Sequence, residues 1–296
     1  MQPLGRSEGP GTLVPFHRAD PIKRPDEAAL QPLRKAYNDK SLTQAKRNEL
    51  VKDYFYTTVR PGAIVPVTLA LLGKGDMPLS RSGGVDGPLV PELRGSPAFQ
   101  KAFVTAANEI AQQRPIDESW PKLVKQLGVA NSLKSLTLIY SFYKWQEAPG
   151  LPAAVKDAGH AAYTKTCWIN QQRSDDIRKG NTAALAATQL PLTMVMNHGN
   201  SDTYDNPTHF FAHAWLAYRL LEQGYSEKQA LQTSAFAGGY YEAERPSSLD
   251  ENHGNASIKD ILMNSQGSNF GVQLFHDAHA PLPGPNDGIP AEDRDI

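Results

Sequence analysis

Apolar residues recur every three to four positions through most of this chain and nowhere alternate convincingly between hairpin turns, a pattern that fits helices and leaves little room for a sheet. Ala29, Leu30, Leu33 and Tyr37 form one stripe between Asp26 and Asn38. A second helix is expected from Leu42 to about Tyr56, with Ser41 as its N-cap. Phe99, Phe103, Ala106, Ala107 and Ile110 share a face between Ser96 and Gln113, and Leu133, Leu136, Ile139, Tyr140 and Tyr143 do so between Val129 and Trp145. Further helices fit Pro152–Gln172 and Asn181–Met196. The expected fold class is all-α, a multi-helix globular domain.

The ends and one internal stretch break this pattern. Residues 1–25 carry five prolines and three glycines and read as an extended linker, and residues 281–296 form an acidic, proline-rich tail, so both termini read as disordered-like. The helical domain spans 26–280. Glu147–Pro152 is a local breaker where it would subdivide, although one continuous domain fits equally. From Arg60 to Gly95 glycines and prolines alternate, which predicts a long Gly/Pro-rich loop around a short apolar helix.

Charge and cysteine content exclude several classes. With 30 basic against 31 acidic side chains in 296 residues the net charge is −1, too little basic surface for a chain that neutralises many phosphates, so nucleic acid is not expected as a partner. A single cysteine, Cys167, allows no intramolecular disulfide and reads as buried packing. No run approaches the roughly 20 apolar residues of a membrane span, and the start lacks the pattern of a signal peptide. Export would then require a machine that reads no such peptide.

The chemistry gathers in the last third, which holds six of the eight histidines. A polar run from His198 to Asp205 leads to a helix expected to begin at Pro207, capped by Asn206. His209 and His213 lie four residues apart on one face of it. The helix dipole opposes protonation of His209, and Asp205 is near enough in sequence to orient its ring. The plain alternative is a pair of half-buried histidines satisfied by their neighbours. The next helix, Ser226 to about Glu244, carries Gly238 and Gly239 in its interior, each a loss of roughly 1 kcal/mol against alanine, so a close approach of something else is expected there. Gly238 shares a face with Glu242. Set among Phe236, Tyr240 and Tyr241, Glu242 would be partly desolvated, which favours its protonated form and suits a general acid.

The loop after that helix adds Asp250, Glu251 and His253. Two carboxylates flanking one cavity serve glycosidic cleavage: one protonates the leaving oxygen, and the other attacks the sugar or activates water. A separation of about 5 Å gives retention and roughly 6.5–9.5 Å inversion. Asp250-x-Asn252-x-Gly254 departs from a calcium loop, because the glycine comes one position early and no glutamate stands at the twelfth. The last helix, expected after Ser257, places Asp260, Asn264, Gly267 and Gly271 on one polar stripe, with Ile261, Leu262, Phe270 and Leu274 opposite. If the three helices meet, Asp205, His209, Glu242, Asp260 and Asn264 converge, and the enzymatic reading requires that they line one wet cleft.

The order Asp205-x3-His209-Phe210, a glycine-bearing helix ending in Glu242, then Asp260-x3-Asn264-x2-Gly267-x3-Gly271 is similar to a helical motif of small envelope-associated bacterial proteins, the YfiM-like lipoproteins and the VanZ-like group. It covers about 70 residues, and the lysine that usually follows the first aspartate is Asn206 here. The whole layout also resembles the lysozyme-type C-terminal domains of bacterial type VI secretion effectors. That resemblance implies an antibacterial peptidoglycan glycoside hydrolase that reaches the target-cell periplasm without a signal peptide. It further implies secretion machinery engaged through an upstream region, and an immunity protein. On this reading Glu242 is the general acid and Glu251 its partner carboxylate, with Asp250 the substitute. Asp205, His209, Tyr240, Asp250, Asp260 and Asn264 would contact substrate, and no cofactor is required.

Two other readings use the same residues. In one, Asp205, His209, Glu242 and Asp260 hold a divalent metal in a hydrolase of an envelope lipid or peptide. In the other, the polar stripe of a non-catalytic delivery or interaction domain binds another protein, and Gly83–Pro88 is a docking element.

Overall fold

Helices named in chain order are α1 (Glu27–Asn38), α2 (Gln44–Asp53), α3 (Val90–Gly95), α4 (Pro97–Ala111), α5 (Ile116–Leu127), α6 (Val129–Tyr140), α7 (Phe142–Trp145), α8 (Ala153–Arg178), α9 (Asp205–Glu222), α10 (Glu227–Glu244) and α11 (Gly254–His279). They come from a computed structural model that describes residues 26–64, 90–112, 116–178, 205–244 and 254–279. Among these residues there is no strand, and the protein is all-α. No helix among them is long and apolar enough to cross a membrane. The linker 1–25, loop residues 65–89 with Gly83–Pro88, the expected helix Asn181–Met196, the segment 245–253 with Asp250, Glu251 and His253, and the tail 281–296 lie outside the described residues. The side chains of Cys167 and Asp205 do so too.

Local chemistry sets most helix ends. Ser96 accepts the Phe99 N–H at the start of α4. At α10 Ser226 Oγ accepts the Gln229 N–H at 3.3 Å while Gln229 Oε1 accepts the Ser226 N–H at 3.0 Å, a reciprocal capping box. Four expected boundaries need correction. Thr43, rather than Ser41, caps α2, because the Ser41 N–H and hydroxyl are both taken by Asp39 Oδ1. The stretch from Val129 to Trp145 is two helices, broken at Ser141, where the Ser141 hydroxyl donates to Thr137 O and the Trp145 indole to Leu138 O. α9 begins at Asp205, two residues before Pro207, since a proline is tolerated anywhere in a first turn whose N–H groups lack helical partners. α11 begins at Gly254 rather than after Ser257. α5 was not anticipated, its periodicity being obscured by Pro115 and Pro121.

Three apolar clusters hold the helices together. The largest joins α3–α8 to one side of α9 and α11, with Tyr140 stacked on Phe211 and Phe270 set between Phe210 and Trp120. Residues on both sides of Glu147–Pro152 belong to it. A second cluster packs α1, α2 and the π-helical continuation of α2, Tyr54–Val59, onto α10 and α11. Thr58 and Val59 end that continuation, so their carbonyls lack helical partners, and Gln232 of α10 donates to both. The third cluster lies between α9, α10 and α11 themselves. These three helices are therefore enclosed on two sides, and what they place between them is buried.

Candidate functional site

Glycines set the register of the three enclosed helices. A Cβ on Gly267 would stand 2.1 Å from the Phe210 carbonyl oxygen, and one on Gly271 equally close to that of Ala214, so α9 and α11 run parallel with their backbones in contact. The two glycines of the polar stripe thus serve helix packing. α10 runs antiparallel to both. Ser234 pairs with Ser268 across α10 and α11, and Gly238 faces Asn264 one turn on. Glu242 lies one turn beyond Gly238 on α10, and Asp260 one turn before Asn264 on α11. On α9 the same four-residue step runs from His213, bonded to Ser234, to His209, bonded to Asn264, and then to position 205.

The contacts define two stacked layers, His213 with Ser234 and Ser268, and His209 with Gly238 and Asn264; one helical turn further along each helix come position 205, Glu242 and Asp260. Of the residues expected to converge, His209, Asn264 and Asp260 are brought together, and Glu242 follows Gly238 by one turn of α10; Glu242 and Asp260 are each 5% exposed and Asn264 3%. Charge increases towards the end where α9 starts and α10 stops, and the His209 side chain, 18% exposed, keeps contact with the surface.

In the second layer the amide oxygen of Asn264 can only accept, so the His209 Nδ1–H donates to it at 3.0 Å. The other ring nitrogen, Nε2, then faces Asp260 Oδ2 at 3.6 Å, too far for a hydrogen bond. The Lys259 ammonium stands 3.9 Å from Asp260 Oδ1, and Lys259 is itself buried. Two basic groups thus stand beside one buried carboxylate. Glu242, on α10, is buried as well.

Gly238 has a definite use. A Cβ there would meet Asn264 Nδ2 at 2.2 Å and His213 Cε1 at 3.1 Å, so the glycine seats the amide that orients His209. Asn264, expected to touch substrate, is bonded to His209 through its amide oxygen. Asn264 Nδ2 has no hydrogen-bond partner among the described residues. Tyr240 is not brought to the site: it lies half a turn away from Glu242 and packs on Phe55 and Phe236 in the N-terminal cluster. His213, Ser234 and Ser268 belong to the same network; the serines escaped sequence reasoning, although their spacing from Gly238 and Asn264, four residues each, carried the information.

For a metal, His209 Nε2 and Asp260 Oδ2 are the pair whose separation suits two ligands of one ion at about 2.0–2.2 Å each. Among the described residues no group of three histidine, cysteine or acidic side chains is placed to hold one.

Compared with protein-family models, with curated proteins and with solved structures, the chain matches none.

Proposed function

We propose that the protein is a hydrolase of the peptidoglycan glycan strand in which Glu242 donates the proton to the leaving oxygen and Asp260 is the partner carboxylate. The observation that carries this reading is the burial of two carboxylates, Glu242 and Asp260, one turn from the Gly238–Asn264 contact, the second of them beside His209 and Lys259. In this reading Asp260, beside His209 and Lys259, supports the developing positive charge of the sugar or activates water, and Glu242 supplies the proton. Substrate would approach these carboxylates from the end where α9 starts and α10 stops. Glu251 is the competing partner carboxylate.

The resemblance to secretion effectors gives the setting: an antibacterial toxin delivered through an upstream region, active in the target-cell periplasm and neutralised by an immunity protein. The purified chain is incubated with cell-wall sacculi, with and without excess chelator, and the released fragments are read by mass spectrometry. Muropeptides with cleaved sugar ends, formed equally with chelator, support the reading. Amide cleavage, or activity that chelator abolishes, replaces it with a peptidase or a metal-dependent hydrolase. Glu242→Gln should lower turnover about 10²–10⁴-fold at unchanged melting temperature. Asp260→Asn should match it, while Glu251→Gln should not; the reverse order would transfer the partner role to Glu251.

A further inference from the structure

The His213 layer contains a chain of hydrogen bonds whose direction is fixed from one end. The Ser268 hydroxyl donates to the backbone carbonyl of Asn264 at 2.7 Å, four residues earlier on α11. A hydroxyl has one proton, so Ser268 Oγ can only accept in its second bond, and the Ser234 hydroxyl 2.8 Å away must be the donor. With its own proton committed, Ser234 Oγ accepts from the ring nitrogen 2.8 Å beyond it, His213 Nδ1. The direction therefore runs from His213 Nδ1–H through Ser234 and Ser268 to the Asn264 carbonyl. All of these groups are buried, so water does not compete for them.

We propose that Ser268 and Ser234 are positioning residues that set the tautomer of His213, keeping its proton on Nδ1 whenever the ring is neutral. This is the opposite of the tautomer that predominates for a free histidine in water. Packing alone would not call for it: a ring that served only to fill space between α9 and α10 could take either tautomer. The reversal is maintained by two hydroxyls on two other helices, each spaced one turn from a residue of the His209 layer. A part for His213 in turnover rests on the hydrolase reading given above; the tautomer itself does not.

The test separates the two. Nitrogen-15 spectra of the full chain, labelled at histidine, report the protonation of each ring nitrogen above the pH at which His213 is neutral. Nδ1 should show the protonated, pyrrole-type shift and Nε2 the pyridine-type shift. Ser268→Ala removes the acceptor that directs the Ser234 proton. Ser234 can then donate to the ring, and the His213 signals should move towards the Nε2–H form. Ser268→Thr, which keeps the hydroxyl and its bond to the carbonyl four residues back, should restore the original pattern. An Nε2–H tautomer in the unaltered protein, or no change in Ser268→Ala, would overturn the proposal whatever the enzyme does with sacculi. Should Ser268→Ala unfold, the unaltered chain and the Thr variant still decide it. If the tautomer is as described but turnover on sacculi is the same in Ser268→Ala, the positioning claim stands and the role of His213 in turnover falls.

Discussion

Replacing Gly267 by alanine tests the close approach on which the site geometry depends. The new methyl carbon would lie 2.1 Å from the Phe210 carbonyl oxygen, 2.8 Å from its carbon and 2.9 Å from its Cα. None of these atoms is the end of a side chain that can rotate away, so α9 and α11 must move apart, and an ordinary contact of about 3.4 Å or more requires roughly 1 Å of separation or an equivalent slide. Alanine gains about 1 kcal/mol in a helix interior, whereas overpacking in a well-filled core costs about 1–3 kcal/mol and more where backbone is the obstacle. The expected net loss is on the order of 2 kcal/mol. Gly271 meets the Ala214 carbonyl in the same way one turn further on, so a single separation of the two helices relieves both contacts. The double variant Gly267→Ala/Gly271→Ala should then cost clearly less than the two single losses together. Urea denaturation followed by circular dichroism supplies the three values. Gly95→Ala is the control, since nothing lies within 4 Å of its Cβ position. A Gly267→Ala protein as stable as the original, or strict additivity in the double variant, would refute the backbone contact as drawn.

Gly238→Ala is expected to damage the site more than the fold: its methyl displaces the Asn264 amide, whose side chain can swing aside, and His209 loses the acceptor of its Nδ1–H. Turnover should fall while the melting temperature changes by only a few degrees, measured on the same preparation. Ser226→Ala removes the hydroxyl that accepts the Gln229 N–H, while the backbone half of the capping box remains, and should cost about 1 kcal/mol in denaturant titration. The Ser41 hydroxyl and N–H hold the Asp39 carboxyl below the ordinary aspartate range, so what these bonds contribute is present above the usual aspartate pKa and lost as pH falls through the lowered one; in Ser41→Ala the Asp39 titration, followed by NMR, should move up.

The helical class and most helix positions were legible because burial on one face imposes its period directly on the sequence. The helix ends were less so. Ser41 and Thr43 both have side chains able to cap α2, and only the capture of Ser41 by Asp39 decides between them. α5 was illegible for a related reason, since prolines before and inside it mask a stripe that includes the buried Trp120 and Leu123. At the site, the spacing of Asp260, Asn264, Gly267 and Gly271 was visible, yet it joins two functions that only the partner helices separate. The first two carry polar groups towards α9 and α10, and the last two admit the α9 backbone. Tyr240 failed for the converse reason: adjacency to Glu242 in sequence says nothing of direction when two residues on a helix differ by about 200°.

The four-residue step shared by α9, α10 and α11 ties the packing of these helices to their chemistry. Because the step is the same on all three, any slide of α9 along α11 shifts every layer together. The Phe210–Gly267 and Ala214–Gly271 contacts resist that slide, since a carbonyl lodged where a Cβ would be cannot advance without meeting the next side chain. His209, one residue before Phe210, is thereby held at the level of Asn264 and Asp260 by backbone contacts on the neighbouring turn rather than by its own hydrogen bond alone. A lesion at Gly267 should therefore disturb the His209 ring although its methyl would touch neither the ring nor the carboxylates. A lesion at Gly238 should disturb the same ring without separating α9 from α11. If Gly267→Ala left the nitrogen-15 signals of His209 unchanged while lowering stability, packing and site would be independent, and the layered register would be only a consequence of helix geometry.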